Sequence, residues 1–362
     1  MLKKQIVFLI PTMGIGGAER VVANLVNNLN NNYNITLLTL NHEILYSLPD
    51  NVKIIKFKSK SLKTVLPELV IYLYKNTPDL LISNMSLTNI ISILTRMIVK
   101  KKFKIMLIEH STPSIKFKKD KYIRRIIPFL ITNLYKHADC IVSVSNGVKN
   151  DLFKLGVINN ITTIYNPIVP KSHYISNNKI QHEWFENENL KVILSVGRLE
   201  PVKNIALLIK AFNKLYSHRK NVRLMIIGDG SEKDRLKNLT MSLNIQDVVQ
   251  FLGYKSDPYS YMKQSDVFVL SSNLEGLSNV LIEALACGTK VVSTNCPHGP
   301  SEILDNGKYG ILVPVNDVDS LALAINQSLE EEINKELLIK RASNFSIENS
   351  INQYKELIDK LI

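Results

Sequence analysis

The chain has 362 residues, more than one hydrophobic core ordinarily serves, so two domains are expected. With 45% hydrophobic and 21% charged residues the composition is globular, and no apolar run reaches the roughly eighteen residues of a membrane-spanning helix. The three cysteines lack metal-ligand spacing, which argues against a structural zinc and fits a reducing cytoplasm.

Positive charge is concentrated in the first half of the chain. Residues 1–184 hold 25 Lys and Arg against 10 Asp and Glu, a net charge of +15, whereas residues 185–362 have a net charge of −2. A basic half indicates an anionic partner, either a membrane surface or a nucleic acid.

Strand and helix patterns alternate through the first 170 residues. The strand patterns are at 5–10, 34–40, 52–57, 80–83, 104–110, 140–145 and 162–168. A glycine-rich loop and a helix separate the first two, which is how a doubly wound parallel sheet begins.

The loop after the first strand, PTMGIGGAER, contains Gly14, Gly16 and Gly17 just before a helix. Glycines let the backbone approach a ligand, and a helix N-terminus favours an anion. Glu19 stands where a dinucleotide fingerprint has its third glycine, whereas Glu43 is placed like the ribose-binding acid of that fingerprint. An NAD-dependent oxidoreductase is therefore an alternative function.

His110 ends the strand pattern at 104–110 and opens the loop STPS. Ligands of α/β sheets bind at the carboxyl ends of the strands, so His110 is a candidate site residue. A structural histidine is the alternative.

Residues 116–136, KFKKDKYIRRIIPFLITNLYK, combine seven Lys and Arg with apolar side chains that include Ile126 and Phe129. This mixture is typical of a helix in a membrane interface, and the alternative is a solvated basic face over an ordinary core helix. No known nucleic-acid-binding module is recognisable, so nucleic acid is not expected as a partner.

A polar, irregular segment divides the chain. We expect an N-terminal domain at 1–170, a linker at 171–188 with Trp184 at the hinge, a C-terminal domain at 189–345, and a last helix at 346–362 that returns to the N-terminal domain. The second domain repeats the alternation, with strand patterns at 191–197, 222–228, 248–254, 267–270, 290–295 and 309–315.

Two glutamates stand eight positions apart after the strand VFVL. Glu275 lies in the loop SSNLEGLSN, and Glu283 lies about one turn inside the following helix, for which Ser278 or Asn279 is the N-cap. The two carboxylates are then roughly 8–12 Å apart, so one elongated ligand can contact both. The backbone N–H groups at 276–279 suit an anion or sugar hydroxyls, although glutamates are also common in first helical turns.

Gly197, Arg198 and Lys203 follow the first strand of the second domain and precede a helix. Two cations beside a glycine and a helix start outline a diphosphate clamp. Gly228 and Gly230 follow the next strand in a similar way.

Four stretches, GRLEPVKN, EGLSNVLIE, the GPSEI turn and GIGGAER, together resemble the family 4 retaining glycosyltransferases over nearly the whole chain. The resemblance implies an α/β fold of the GT-B type, with two Rossmann-like doubly wound parallel-sheet domains that face each other across a cleft. GGAERVV and EHSTPS are most similar to bacterial enzymes that extend lipid-linked oligosaccharides, among them N-acetylgalactosaminyltransferases of protein glycosylation.

The resemblance also implies roles for matched residues. Arg198 and Lys203 neutralise the diphosphate of a nucleotide-sugar donor, and Glu283 binds the ribose hydroxyls. Glu275 binds the donor sugar, and His110 lies near its anomeric centre or outer hydroxyls. The other residues assigned to donor binding are Gly16, Gly17, Gly197, Gly228, Gly230, Gly276, Leu277, Ser278 and Asn279.

The implied activity is retaining transfer of a hexose or N-acetylhexosamine from a UDP-sugar to a polyprenyl-diphosphate-linked oligosaccharide. N-acetylgalactosamine is the favoured sugar. UDP-glucose, UDP-galactose, UDP-N-acetylglucosamine and GDP-mannose are alternative donors, and a silent nucleotide-sugar-binding protein is an alternative to an enzyme. No metal or other cofactor is expected. The basic domain is expected to bind the acceptor, with Arg20 as a phosphate ligand or else a surface cation. The implied localisation is peripheral, on the cytoplasmic face of the inner membrane. The implied pathway is the assembly of surface glycans or of glycoprotein glycans.

Overall fold

The structure, a computed structural model, describes residues 3–40, 43–59, 64–117, 123–158, 160–170 and 178–362. Contacts divide the chain into two compact units, residues 1–168 with 347–362 and residues 169–346. Each unit is built on one parallel sheet with helices packed on it. Of the described helices, none is long and apolar enough to cross a membrane.

Seven parallel strands, counted over the described residues, form the sheet of the first unit in the order β3-β2-β1-β4-β5-β6-β7. The strands are β1 (Gln5–Ile10), β2 (Asn34–Thr39), β3 (Lys53–Lys56), β4 (Leu80–Asn84), β5 (Lys104–Glu109), β6 (Cys140–Ser143) and β7 (Ile161–Thr163). The helices are α1 (Gly17–Leu29), α2 (Leu66–Lys75), α3 (Ser86–Val99), α4 (Pro113–Lys116), α5 (Ile123–Leu134), α6 (Asn146–Lys154) and α15 (Ile347–Leu361). The strand order reverses between β1 and β4, and the loops at such a switch point are where doubly wound sheets bind ligands.

Burial explains why the central strands form. All five residues of β4 and the last five of β1 are buried, which is the pattern of a parallel strand covered on both faces. Helix α1 buries one stripe, Val21, Val22, Leu25, Val26 and Leu29, and turns its polar residues to solvent.

Helix α15 packs on α1 and so belongs to the first unit. Ile351, Tyr354 and Ile358 are buried at intervals of three and four residues, which places them on one helix face. Tyr33 donates a hydrogen bond of 2.7 Å to Asp359 near the end of the same helix.

In the second unit, the described part of the chain forms six parallel strands in the order β10-β9-β8-β11-β12-β13. The strands are β8 (Lys191–Val196), β9 (Val222–Ile227), β10 (Val249–Gly253), β11 (Val267–Leu270), β12 (Lys290–Thr294) and β13 (Ile311–Val313). The helices are α7 (Glu183–Glu186), α8 (Ile205–His218), α9 (Lys233–Ser242), α10 (Pro258–Gln264), α11 (Asn279–Ala286), α12 (Pro300–Ile303), α13 (Val318–Glu330) and α14 (Lys335–Ala342). The order reverses between β8 and β11, which is the switch point of this unit.

The strand prediction at 162–168 is wrong in its extent, and the one at 309–315 is longer than β13, which covers Ile311–Val313. The pattern at 162–168 predicts a strand to residue 168, but β7 pairs with β6 only over Ile161–Thr163. Pro167 has no N–H to give to a ladder, and β7 is the last strand of the sheet in the described part of the chain, so no second strand there extends its pairing. Trp184, expected at the hinge, is buried in the second unit with the Arg223 guanidinium 5.9 Å from its ring centroid.

Candidate active site

The switch point of the second unit gathers most of the predicted donor-site residues. Gly197, Arg198 and Lys203 follow β8, and Glu275 lies in the loop that joins β11 to α11. Because β8 and β11 pair in parallel, the two loops leave the same edge of the sheet. The topology therefore brings together residues that are far apart in the sequence.

Lys203 and Glu275 are in direct contact. Lys203 Nζ lies 2.6 Å from Glu275 Oε1, and the two side chains are 21% and 9% exposed. Ser272 Oγ donates to the same carboxylate oxygen, also at 2.6 Å. Charge-assisted hydrogen bonds of this length are strong and directional, so they hold the ammonium and the carboxylate in a defined geometry.

Backbone and side-chain hydrogen bonds join the two loops that carry this pair. Ser271 Oγ donates to the Lys203 carbonyl at 3.0 Å, and the Asn273 N–H donates to the Val202 carbonyl at 2.8 Å. Asn204, which precedes α8 with φ 47°, donates from Nδ2 to Asn273 Oδ1 at 3.1 Å. The position of Lys203 therefore depends on the first residues of the loop after β11, Ser271 and Asn273.

Gly228 and Gly230 permit a close approach of two loops within the protein. Gly228 has φ +137°, and a Cβ on it would lie 1.9 Å from the Gly197 carbonyl oxygen. A Cβ on Gly230 would lie 2.5 Å from the Leu199 carbonyl oxygen. The packing of the loops after β8 and β9 thus requires glycine at 228 and 230. This requirement is separate from the predicted contact of these glycines with a donor.

Helix α11 begins beside Glu275. Ser278 is its N-cap, as predicted, but the Ser278 Oγ is buried and has no hydrogen-bond partner among the described residues. Gly299, with φ +90°, packs here, since a Cβ on it would lie 3.4 Å from Leu277 Cα and 3.5 Å from the Gly276 carbonyl oxygen. The N–H groups that begin α11 add partial positive charge to the same edge of the sheet.

Glu283 and Arg198 differ sharply in exposure. Glu283 lies in the second turn of α11 and is 1% exposed. The Arg198 side chain is exposed and makes no ion pair with any residue that the structure describes. A solvated guanidinium beside the Lys203 turn is available to an anion, whereas the role of Glu283 at the ribose stays a prediction.

One Asp-x-Asp stretch, a pattern that can hold a divalent metal, occurs at Asp317-Val318-Asp319. Asp317 is the N-cap of α13 and accepts from the Ser320 N–H at 2.9 Å and from Ser320 Oγ at 2.7 Å. These bonds lower the pKa of Asp317. Asp319 accepts from Lys214 Nζ at 2.6 Å on the surface. Both carboxylates thus have structural partners, and metal independence stays a prediction.

In the first unit, Glu19 occupies the N-terminus of α1. A Cβ on Gly16, the N-cap, would lie 2.1 Å from Glu19 Oε2, and Thr12 Oγ1 donates to Glu19 Oε1 at 2.8 Å. A carboxylate here lies where a dinucleotide-binding loop receives its pyrophosphate, and it repels a second anion. This geometry does not favour the NAD alternative, and the assigned donor contacts of Gly16 and Gly17 stay predictions.

His110 is held by Asn84, the last residue of β4. Asn84 Nδ2 donates to the Leu9 carbonyl at 3.3 Å, so its Oδ1 faces His110 Nε2 at 3.1 Å. Nε2 is therefore the protonated nitrogen and Nδ1 the acceptor. Burial, together with the Lys116 charge, lowers the pKa of His110 to about 3, so the imidazole is neutral near pH 7. It can accept a hydrogen bond from a hydroxyl but supplies no charge.

Sequence reasoning missed Glu109, the residue before His110. Its fully buried carboxylate accepts from Ser86 Oγ at 2.9 Å, Ser111 Oγ at 3.1 Å and the Tyr135 hydroxyl at 2.9 Å. Burial raises the pKa of Glu109. The sequence offered one signal, an acidic residue at the end of an apolar strand. A carboxylate buried at such a position persists only with hydrogen-bond partners.

The basic segment 116–136 is described in part. Residues 118–122 and the side chains of 123–125 lie outside the described residues, and with them Lys118, Lys119, Lys121, Arg124 and Arg125. On α5, Ile126 and Phe129 are 53% and 65% exposed, whereas Ile131 is buried. Exposed apolar side chains on such a helix suit a membrane interface, and membrane binding stays a prediction.

Two family models match the chain. "Glycosyltransferase Family 4" matches residues 15–172, and "Glycosyl transferases group 1" matches residues 176–345. A relative from Campylobacter jejuni, N-acetylgalactosamine-N,N'-diacetylbacillosaminyl-diphospho-undecaprenol 4-alpha-N-acetylgalactosaminyltransferase, is 33% identical over 340 residues, 89% of each chain. The chain belongs to the family 4 glycosyltransferases.

Membership of family 4 confirms the resemblance found in the sequence, and it makes the chain a glycosyltransferase. A second C. jejuni relative, an alpha-1,4-N-acetyl-D-galactosaminyltransferase named for a PP-undecaprenol substrate, is 26% identical over 371 residues, 99% of this chain and 98% of its own. The solved sucrose-phosphate synthase from Thermosynechococcus elongatus superposes with a TM-score of 0.84 at 19% identity over 99% of both chains. That likeness confirms the predicted GT-B fold class.

Proposed function

We propose that this family 4 glycosyltransferase transfers a hexose or N-acetylhexosamine from a UDP-sugar to a polyprenyl-diphosphate-linked oligosaccharide. The favoured sugar is N-acetylgalactosamine. The Lys203–Glu275 pair at the switch point of β8 and β11 carries the proposal, because it sets a cation and a carboxylate beside the N-terminus of α11. The names of the two C. jejuni relatives, both N-acetylgalactosaminyltransferases with undecaprenol-linked substrates, support the choice of sugar and acceptor.

The reaction breaks the bond between the sugar C1 and a diphosphate oxygen. Negative charge then develops on the leaving diphosphate and positive charge on the sugar. Lys203, Arg198 and the N–H groups that begin α11 stabilise the diphosphate more in the transition state than before it. Glu275 accepts hydrogen bonds from the donor sugar, Glu283 from the ribose, and His110 from a sugar hydroxyl through Nδ1.

The acceptor hydroxyl forms the new C1–O bond on the face from which the diphosphate leaves, and its proton passes to a leaving phosphate oxygen. The anomeric configuration is thereby retained. Glu275 is held by Lys203 and Ser272, which suits ligand placement better than attack on C1. The reaction as proposed uses no metal ion.

We assign acceptor binding to the first unit. Its basic charge suits both the acceptor diphosphate and an anionic membrane surface, so the enzyme would work peripherally on the cytoplasmic face of the inner membrane. Arg20, in the first turn of α1, is a candidate ligand of the acceptor phosphate.

Incubation with UDP-sugars, GDP-mannose and an undecaprenyl-diphosphate-linked oligosaccharide tests the proposal. Mass spectrometry is expected to show one added N-acetylhexosamine from UDP-N-acetylgalactosamine, and NMR is expected to show an α-linkage. A β-linkage would overturn retention, and transfer from GDP-mannose alone would overturn the UDP assignment. Thermal stabilisation by NAD but not by UDP, GDP or ADP would restore the oxidoreductase alternative.

A further inference from the structure

We infer that Glu109 is a positioning residue for His110, because its carboxylate joins the turn that carries His110 to the turn that carries Asn84, the histidine's partner. The inference rests on the proposed function, in which His110 contacts the donor sugar. No role in the reaction had been assigned to Glu109 from the sequence.

The turns after β4 and β5 are neighbours, since these strands pair in parallel with Asn84 opposite Ile108. One side-chain bond joins the turns at the imidazole, from His110 Nε2 to Asn84 Oδ1 at 3.1 Å. A second bond joins them beside it, from Ser86 Oγ to Glu109 Oε1 at 2.9 Å. Two bonds between the same two turns fix their separation, whereas one bond alone leaves a pivot.

The same carboxylate oxygen also constrains the chain after the histidine. Ser111 Oγ donates to Glu109 Oε1 at 3.1 Å. The residues on both sides of His110 are therefore tied together through one oxygen atom. This contact limits the backbone rotation that would swing the imidazole away from Asn84.

The turn after β4 needs such support. Met85 has φ 74°, a left-handed value that a residue with a Cβ adopts at a cost. The Met85 N–H and Asn89 Nδ2 both donate to the Ile108 carbonyl, each at 3.1 Å. Strained turns persist where the surroundings over-determine them, and the Ser86–Glu109 bond is one of these determinants.

The other carboxylate oxygen offers a matched control. Glu109 Oε2 accepts from the Tyr135 hydroxyl at 2.9 Å, and Tyr135 accepts from Asn89 Nδ2 at 3.2 Å. Tyr135 lies in the 3₁₀ turn after α5, and in the described part of the chain its hydroxyl is bonded to Glu109 and Asn89 but not to the turn at 84–86. Loss of either Ser86 or Tyr135 removes one hydrogen bond from Glu109, but only the Ser86 bond reaches the Asn84 turn.

The test compares four variants, Ser86→Ala, Tyr135→Phe, Glu109→Gln and Glu109→Ala. For each, kcat, donor KM, the thermal midpoint and the ¹⁵N shifts of the His110 imidazole are measured. The His110 signals are assigned by their loss in His110→Gln. Misplacement of a contact residue by about 1 Å can cost about 10²-fold in rate. Ser86→Ala is expected to lower kcat about tenfold at unchanged donor KM and to mix the His110 tautomers. Tyr135→Phe is expected to lower the thermal midpoint while kcat stays within about twofold. Glu109→Gln keeps the acceptor oxygen and stays near wild type, and Glu109→Ala loses about 10²-fold.

Equal kcat losses in Ser86→Ala and Tyr135→Phe would overturn the inference, and so would an unchanged His110 tautomer in Ser86→Ala and Glu109→Ala. If Glu109→Ala does not fold, Ser86→Ala and Glu109→Gln decide. Failure of the proposed function has a different signature. In that case the wild-type enzyme transfers no sugar, or His110→Ala keeps full kcat, while the ¹⁵N shifts still report whether Glu109 holds the imidazole.

Discussion

Lys203 Nζ lies 2.6 Å from Glu275 Oε1, although 72 positions separate the two residues in the chain. The lysine belongs to the turn after β8 and the glutamate to the loop after β11. A diphosphate bound to Lys203 would extend this contact into a row of carboxylate, ammonium and phosphate. Under the proposed assignments, with Lys203 at the diphosphate and Glu275 at the sugar, the pair would couple the diphosphate to the sugar attached to it.

Loss of the Lys203 charge should impair turnover strongly. We expect Lys203→Met to lower kcat/KM about 10²–10³-fold, because a fixed group that stabilises the leaving charge is removed. Lys203→Arg should retain part of the activity. Lys214→Met removes the surface pair with Asp319 and should change kcat/KM less than about twofold. Steady-state kinetics with the UDP-sugar decides, and a loss below tenfold in Lys203→Met would count against the diphosphate role.

The two glutamates should separate in their effects on nucleotide affinity. Glu275→Ala is expected to lower kcat while the Kd for UDP, measured by calorimetry, changes by less than about threefold, because UDP lacks the donor sugar that Glu275 is assigned to bind. Glu283→Ala is expected to raise that Kd about tenfold or more, which corresponds to about 1.4 kcal/mol. Because Glu283 is buried, thermal unfolding of both variants is measured to separate a loss of UDP affinity from a loss of stability. Equal losses of UDP affinity would contradict the division of roles.

Gly228 should tolerate no side chain. Gly228→Ala is expected to lower the free energy of unfolding by about 3 kcal/mol or more, since its Cβ would lie 1.9 Å from the Gly197 carbonyl oxygen at a φ of +137°. Gly253→Ala is the matched control. Its φ of +67° is also left-handed, but no atom lies within 4 Å of the added Cβ, so about 1–2 kcal/mol is expected. Urea unfolding measures both, and similar values would show that the clash with Gly197 is relieved.

The pH dependence of stability should carry a contribution from His110. Burial lowers its folded-state pKa to about 3, whereas an unfolded histidine titrates near about 6.5. Between these values the unfolded chain binds a proton at this residue and the folded chain does not, so stability falls as the pH falls below about 6.5. His110→Gln should therefore lose less stability than wild type between pH 7 and pH 5.

The urea midpoints at the two pH values measure this difference. His137→Gln, at an exposed position, is the control for the loss of a histidine elsewhere in the chain. Identical slopes for His110→Gln and wild type would show that His110 takes up its proton equally in the folded and unfolded chains.

The exposed face of α5 should contribute to membrane binding. Ile126→Ser with Phe129→Ser is expected to weaken flotation with anionic liposomes, because both exposed side chains would lose their apolar contact with the interface. Neutralisation of Lys118, Lys119, Arg124 and Arg125, which the sequence assigns to the same interaction, should weaken flotation as well.

Two controls accompany the flotation assay. Ile71→Ser on α2, where the side chain is 56% exposed, should have no effect, and vesicles without anionic lipid should bind the wild type weakly. Unchanged flotation in both sets of variants would remove the membrane hypothesis for this segment.

The sequence by itself determined which segments form strands and their succession along the chain, together with the fold class and the family. Apolar strand patterns, helix starts and glycine turns are local features, and stretches such as GRLEPVKN and EGLSNVLIE stand unbroken in the chain. The prediction failed at 162–168, where the extent of a strand depends on a pairing partner and not on its own residues. Arg198, Lys203 and Glu275 were found because each belongs to such a stretch.

Only the tertiary structure decided which of these residues touch. The Lys203–Glu275 bond, the contact of Gly228 with Gly197 and the carboxylate of Glu109 all depend on which strand ends are neighbours at a sheet edge. Glu109 gave almost no local signal, because two of its three hydroxyl partners, Ser86 and Tyr135, lie 23 and 26 positions away in the chain. Hydrogen bonds act over about 3 Å, so a residue pattern names the candidates, while the packing of the loops sets their partners.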